Sequence, residues 1–118
     1  MKNIFIFTYG TLMNNERNHY YLSNQEFISN AYIKNYDIYN LGTYPGIIKG
    51  SDNVYGELYK VDEDSLNQMD ALEELGYLYD RILERVYISD EESIEAYVYV
   101  YLKSINGCIK LNKSWKNR

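Results

Sequence analysis

The chain has one cysteine, Cys108, one histidine, His19, one proline, Pro45, and one tryptophan, Trp115. A lone cysteine cannot close an internal disulfide, and with a single histidine beside it the sequence has no Cys/His cluster of the kind zinc requires. No metal site is expected. Long hydrophobic runs are missing as well. The apolar stretch Ile4 to Phe7 is far shorter than the ~7–15 residues of a signal-peptide core, and no later run approaches the ~18 residues that span a bilayer. The expectation is no membrane partner and a cytoplasmic location. Positive charge is also short: 12 Lys and Arg against 17 Asp and Glu give a net charge of −5, which would repel a phosphate backbone, so nucleic acid is not expected as a partner. No repeat, low-complexity linker or break in composition divides the 118 residues, which read as one domain over 1–118.

What the chain has in excess is tyrosine, 15 of them. Tyrosine suits a pleated, half-buried surface, so the excess favours strands. Asn3 to Tyr9 reads as a first, central strand with both faces apolar. Met13 to Asn24 is polar and reads as a loop with one short helical turn, and its His19 is taken as a hydrogen-bonding surface residue. Glu26 to Tyr39 predicts one long, bent strand. Leu41 to Ile48 holds Pro45-Gly46 and reads as a connecting turn, after which Asn53 to Val61 resumes a strand alternation whose Gly56 leaves room for a close approach. Asp62 to Leu75 is the one convincing helix, with Asp62 as N-cap and Gly76 at C′. Tyr79 to Ile88 and Ile94 to Lys103 alternate cleanly and predict a hairpin. Ile109 and Leu111 suggest a last short strand, with Trp115 packed back on the body. Many strands around one or two helices give an α+β domain whose sheet curls into a small barrel.

Two places invite chemistry. Gly10 permits a left-handed or otherwise strained turn at the mouth of the first strand, where successive amides of Tyr9, Gly10, Thr11 and Leu12 can hold a carboxylate or phosphate; the plain alternative is a strand terminator. Glu73 projects between Leu66 and Met69 on the helix's apolar stripe, whereas Glu74 points away. A carboxylate there is costly unless it is paired, protonated or functional. The competing reading is a helix-end Glu that bridges to Arg81 or Arg85. The tyrosine row at 97, 99 and 101 could stack bases, a reading the net charge opposes.

Phe7-Thr8-Tyr9-Gly10-Thr11-Leu12, Tyr44-Pro45-Gly46-Ile47, Val54-Tyr55-Gly56-Glu57-Leu58-Tyr59, Met69-Asp70-Ala71-Leu72-Glu73 and Tyr79-Asp80-Arg81 follow one another in the order seen in the γ-glutamylcyclotransferase-like proteins. The chain resembles the small branch of that family that includes γ-glutamylamine cyclotransferases and AIG2-like proteins. The resemblance implies a small mixed β-barrel with one or two flanking helices. It implies that residues 9–12 bind the glutamyl end of a small-molecule γ-glutamyl substrate through their backbone, that Glu73 is the catalytic acid/base, and that Tyr44, Tyr79 and Arg81 line the pocket or orient Glu73. The implied reaction cyclises a γ-glutamyl group to 5-oxoproline and releases an amine, with no cofactor. Two departures stand out: Glu73-Glu74 where the family commonly has Glu-Gly, and Lys113-Ser114-Trp115 where it has Gly-Asp-Trp. A non-catalytic small-anion binding module on the same barrel is the rival reading, and a protein-interaction domain using the tyrosine face a weaker one. The sequence leaves the leaving amine and the oligomeric state open.

Overall fold

A computed structural model describes residues 3–118. The described residues form six strands, β1 (Ile4–Thr8), β2 (Glu26–Asn40), β3 (Pro45–Val61), β4 (Tyr79–Tyr87), β5 (Ser93–Tyr101) and β6 (Ile109–Lys110), and one flanking α-helix, α1 (Glu63–Leu72). The order β3-β1-β5-β4-β2, with β2 pairing again with β3, closes a five-stranded mixed barrel, and β6 extends it beside the end of β2. β1 runs antiparallel to β3, from Ile4 opposite Val61 to Thr8 opposite Glu57, and parallel to β5 at Ile6 and Tyr97. Burial on both faces of β1 accounts for its unbroken apolar sequence.

Two packed clusters follow from the strand alternation. Phe7, Ile33, Tyr36, Ile38, Val54, Leu58 and Val98 fill the barrel. Ile6, Tyr59, Leu66, Met69, Tyr79 and Tyr99 form a second cluster between the barrel wall and α1. On β5 the small face, Ala96 and Val98, turns inward, and the tyrosine face carrying Tyr99 packs with residues of α1. The expected bent strand is β2, whose register with β3 shifts between Phe27 and Ser29 and again between Lys34 and Tyr36, where Asn35 takes a φ of 67°. Gly56 is where two backbones meet: a Cβ there would lie 2.1 Å from the Thr8 carbonyl oxygen.

Three expectations change. Pro45 to Ile48 is not a connection but the start of β3; only Leu41 to Tyr44 turns, closed by Leu41 N–H donating to Tyr44 O at 3.0 Å. Proline is tolerated because it is the first residue of the strand, where its missing N–H costs little. The helix is capped by Asp62 as predicted, Oδ1 accepting Ser65 N–H at 2.7 Å, but it ends at Leu72 rather than Leu75. Leu75 N–H donates to Asp70 O at 3.0 Å and Glu74 N–H to Ala71 O at 3.2 Å, so the C′ residue is Glu74, with a φ of 50°, and not Gly76. Finally, Gly10 is not among the residues with positive φ; crowding, not handedness, selects it, since a Cβ would lie 2.6 Å from Pro45 Cγ.

No helix among the described residues is long and apolar enough to cross a membrane, and no group of three or more His, Cys, Asp or Glu among them is placed to hold a metal ion.

Candidate active site

β1 ends at the wall of a cavity of about 30 Å³, lined by Phe7 to Leu12, Tyr44, Pro45, Glu73, Tyr79 and Tyr99. An outer groove of about 220 Å³ shares Thr11, Tyr44, Glu73 and Tyr79 with it and adds Arg17, Asn18, Thr43 and Glu74 among others. Four residues therefore stand between a small inner chamber and a wider mouth.

The turn after β1 is built by Met13 N–H donating to Gly10 O at 3.1 Å and Asn18 N–H to Thr11 O at 2.9 Å. Asn18 Nδ2 donates to Thr11 Oγ1 at 2.9 Å, and the Tyr9 hydroxyl to Tyr99 O at 2.6 Å. Among the described residues no acceptor takes the backbone N–H groups of Gly10, Thr11 or Leu12. Such amides beside a cavity are anion donors in search of a partner. Thr8, 4% exposed, adds a buried hydroxyl that likewise has no partner. His19 lies behind the turn, not in the cavity; its Nδ1 is 3.0 Å from Leu12 O, and since a carbonyl only accepts, Nδ1 carries the proton.

Glu73 is the C-cap of α1. Its place against the cavity comes from the helix end and not from a mid-helix stripe. No hydrogen bond or ion pair among the described residues engages its carboxyl group, and desolvation by burial pushes its pKa up to about 7. The bridge to Arg81 or Arg85 is absent. Arg81 Nε sits instead 2.9 Å from Asp70 Oδ1, without the alignment of a linear hydrogen bond, and its guanidinium lies 4.4 Å from the centre of the Tyr97 ring. Asp70 Oδ1 also accepts the Tyr99 hydroxyl at 2.6 Å.

Tyr79 is buried and donates its hydroxyl to Pro45 O at 2.5 Å. Burial first, then the charge of Glu73 and the neighbouring Tyr44, holds its phenol well above the ordinary tyrosine range. Tyr9 is shifted the same way by burial, Tyr79 and Glu73. Both phenols stay protonated, and with their hydrogens given to the Tyr99 and Pro45 carbonyls they can offer the cavity only an accepting oxygen.

Of the residues singled out in the sequence, the fold brings Tyr9, Gly10, Thr11, Leu12, Tyr44, Glu73 and Tyr79 to one cavity and leaves Arg81 outside its lining. Sequence reasoning missed Phe7, Thr8, Pro45 and Tyr99 as wall residues. For Tyr99 the alternation of β5 places it on the tyrosine face, but no local signal says which tyrosine meets the end of another strand.

A family model described as gamma-glutamyl cyclotransferase, AIG2-like, matches residues 6–117. The gamma-glutamylcyclotransferase family protein YtfP of Escherichia coli K12 is 35% identical over 116 residues, 96% of each chain, and a putative gamma-glutamylcyclotransferase of Vibrio cholerae is 43% identical over 77 residues, 64% of this chain and 67% of that one. The solution structure of Escherichia coli ytfP superposes with a TM-score of 0.72 at 33% identity, covering 94% of this chain and 93% of that one. An AIG2-like protein from Mus musculus gives a TM-score of 0.84 over 98% of this chain and 89% of its own, at 23% identity, a likeness of fold alone.

Proposed function

Because the chain belongs to the gamma-glutamyl cyclotransferase, AIG2-like family, we propose that it cyclises a γ-glutamyl compound to 5-oxoproline with release of an amine, Glu73 serving as general acid/base. The observation that carries this reading is an unpaired carboxyl group of pKa about 7 facing the same small cavity as three unpartnered turn amides. The amides of residues 10–12 hold the α-carboxylate of the substrate, with the Thr8 hydroxyl as a further donor. Glu73 takes a proton from the α-ammonium group. The freed amine attacks the γ-carbonyl carbon and the new C–N bond closes the five-membered ring; Glu73 gives its proton to the leaving nitrogen as the bond to that nitrogen breaks, and the second proton left on the ring nitrogen passes through the Glu73 carboxylate to the departing amine, which leaves as an ammonium ion. A carboxyl group near pKa 7 serves both halves of this transfer at neutral pH.

Nucleophile and electrophile share one molecule, so the reaction needs no redox partner and no activated co-substrate. Holding the folded conformer between the turn amides and Glu73 supplies part of the ~7–11 kcal/mol available from orientation. The leaving amine departs toward the outer groove. Tyr9 and Tyr79, neutral and with their hydrogens committed to backbone carbonyls, shape the wall together with Tyr44. Arg81 acts through Asp70, fixing the end of α1 from which Glu73 projects; it is a positioning residue. The cytoplasm is the proposed compartment.

The test is 5-oxoproline release from a panel of γ-glutamyl amino acids, peptides and amines. Glu73→Gln should lower turnover by ~10²–10⁴-fold while Glu74→Gln stays near the parent, with circular dichroism showing both folded. If the parent binds 5-oxoproline but releases none from any member of the panel, the anion-binding module replaces the enzyme. Wild-type turnover by Glu73→Gln removes Glu73 from the chemistry.

A further inference from the structure

The motif Val54 to Tyr59 contains a second acidic residue that the proposed reaction leaves unused. Glu57 is 6% exposed, and one oxygen, Oε1, accepts both Asn14 N–H at 2.8 Å and the Tyr59 hydroxyl at 3.0 Å. A buried carboxylate is retained only where its hydrogen bonds are worth its desolvation. Both donors lead to the turn after β1. Asn14 lies two residues beyond Leu12. Tyr59 packs its ring 6.0 Å from that of His19, whose Nδ1–H donates to the Leu12 carbonyl. The turn is thus held at two points, Leu12 O and Asn14 N–H, by one connected set of groups with Glu57 at its base.

The strand that carries Glu57 cannot move away. Glu57 pairs across the sheet with Thr8, the last residue of β1, and its neighbour Gly56 lies so close to the Thr8 carbonyl oxygen that no Cβ fits. The turn therefore departs from a fixed strand end and is caught again six residues later by a side chain of the strand beside it.

We propose that Glu57 is a positioning residue for carboxylate binding: it fixes the Gly10 to Leu12 amides in the conformation that receives the ligand, without touching the ligand itself. This rests on the cyclotransferase reading for the identity of the probe, 5-oxoproline, and not for the clamp.

Three measurements test it. Glu57→Gln keeps an acceptor oxygen for both donors, and its Kd for 5-oxoproline should stay within about threefold of the parent. Glu57→Leu removes the acceptor, and its Kd and KM should rise about tenfold or more, the size of a lost hydrogen bond to a charged group, with kcat changed less than KM and the Glu73 limb of the pH profile unmoved. In the parent protein the Asn14 amide should exchange slowly with solvent, a result that needs no variant to fold. A folded Glu57→Leu protein with parental Kd and KM overturns the proposal. So does Glu57→Gln as impaired as Glu57→Leu, or an unprotected Asn14 amide. Binding of 5-oxoproline without turnover by the parent ends the enzymatic reading alone, because the Glu57 comparison is still read through Kd.

Discussion

The ring of Pro45 occupies the space that a side chain at residue 10 would need: a Cβ on Gly10 would sit 2.6 Å from Pro45 Cγ and 2.8 Å from Cδ. The carbonyl of the same proline accepts the Tyr79 hydroxyl at 2.5 Å, so the start of β3 joins the turn after β1 to the start of β4. Gly10→Ala should therefore cost ~1–3 kcal/mol through overpacking and weaken 5-oxoproline binding as the turn shifts. Pro45→Ala added to it should recover part of the stability. Thermal unfolding of the single and double variants decides the matter, and a single variant that melts with the parent would clear Pro45 of the constraint.

Glu73 ties stability to pH. Its folded-state pKa, about 7, lies above the ordinary 4.5, so between these values the folded chain keeps a proton that the unfolded chain has released. Stability is then full below about pH 4.5 and falls as pH rises through about 7, by at most ~1.4 kcal/mol for each pH step between the two values. Glu73→Gln should lose this slope and become the more stable protein at about pH 8, by at most ~3 kcal/mol. Urea unfolding of both proteins across that range measures the difference, and parallel curves would contradict the raised pKa.

Glu74 holds a φ of 50° at the position where a helix end favours glycine. Its side chain is exposed and makes no hydrogen bond or ion pair among the described residues. Glu74→Gly should stabilise the chain by ~0.5–1 kcal/mol by releasing the left-handed strain. Differential scanning calorimetry would show the gain as a higher melting temperature, and a lower one would mean that Glu74 is held by something other than the backbone of α1.

Local chemistry made the hairpin of β4 and β5 legible, because alternating small and tyrosine residues leave only one inward face, and it marked the cap at Asp62. It misled at Pro45, where a residue that punctuates most chains begins a strand, and at Gly76, which does take a positive φ but stands two places beyond Glu74, the C′ residue of α1. Placing Tyr9, Tyr44, Glu73 and Tyr79 around one cavity depends on pairings between segments far apart in sequence, which periodicity does not encode. The same limit applies to Arg81, which faces an acid on α1 that no spacing rule selects over Glu73, and to Glu57, whose partner is a backbone amide 43 residues away.

β1 lies between β3 and β5, with partners at residues 57–61 on one side and Tyr97 on the other. On a ribosome that emits the chain from its amino end, the strand that leads into the turn at residues 10–12 is made before the other five and completed late. One edge of Ile4 to Thr8, a row of unpaired backbone N–H and C=O groups, stays open until β5 has left the exit tunnel, and only then does the barrel close. The interval between those two moments is when the nascent chain is most exposed to mispairing, so slowing synthesis between β4 and β5 should affect yield more than slowing it after β5.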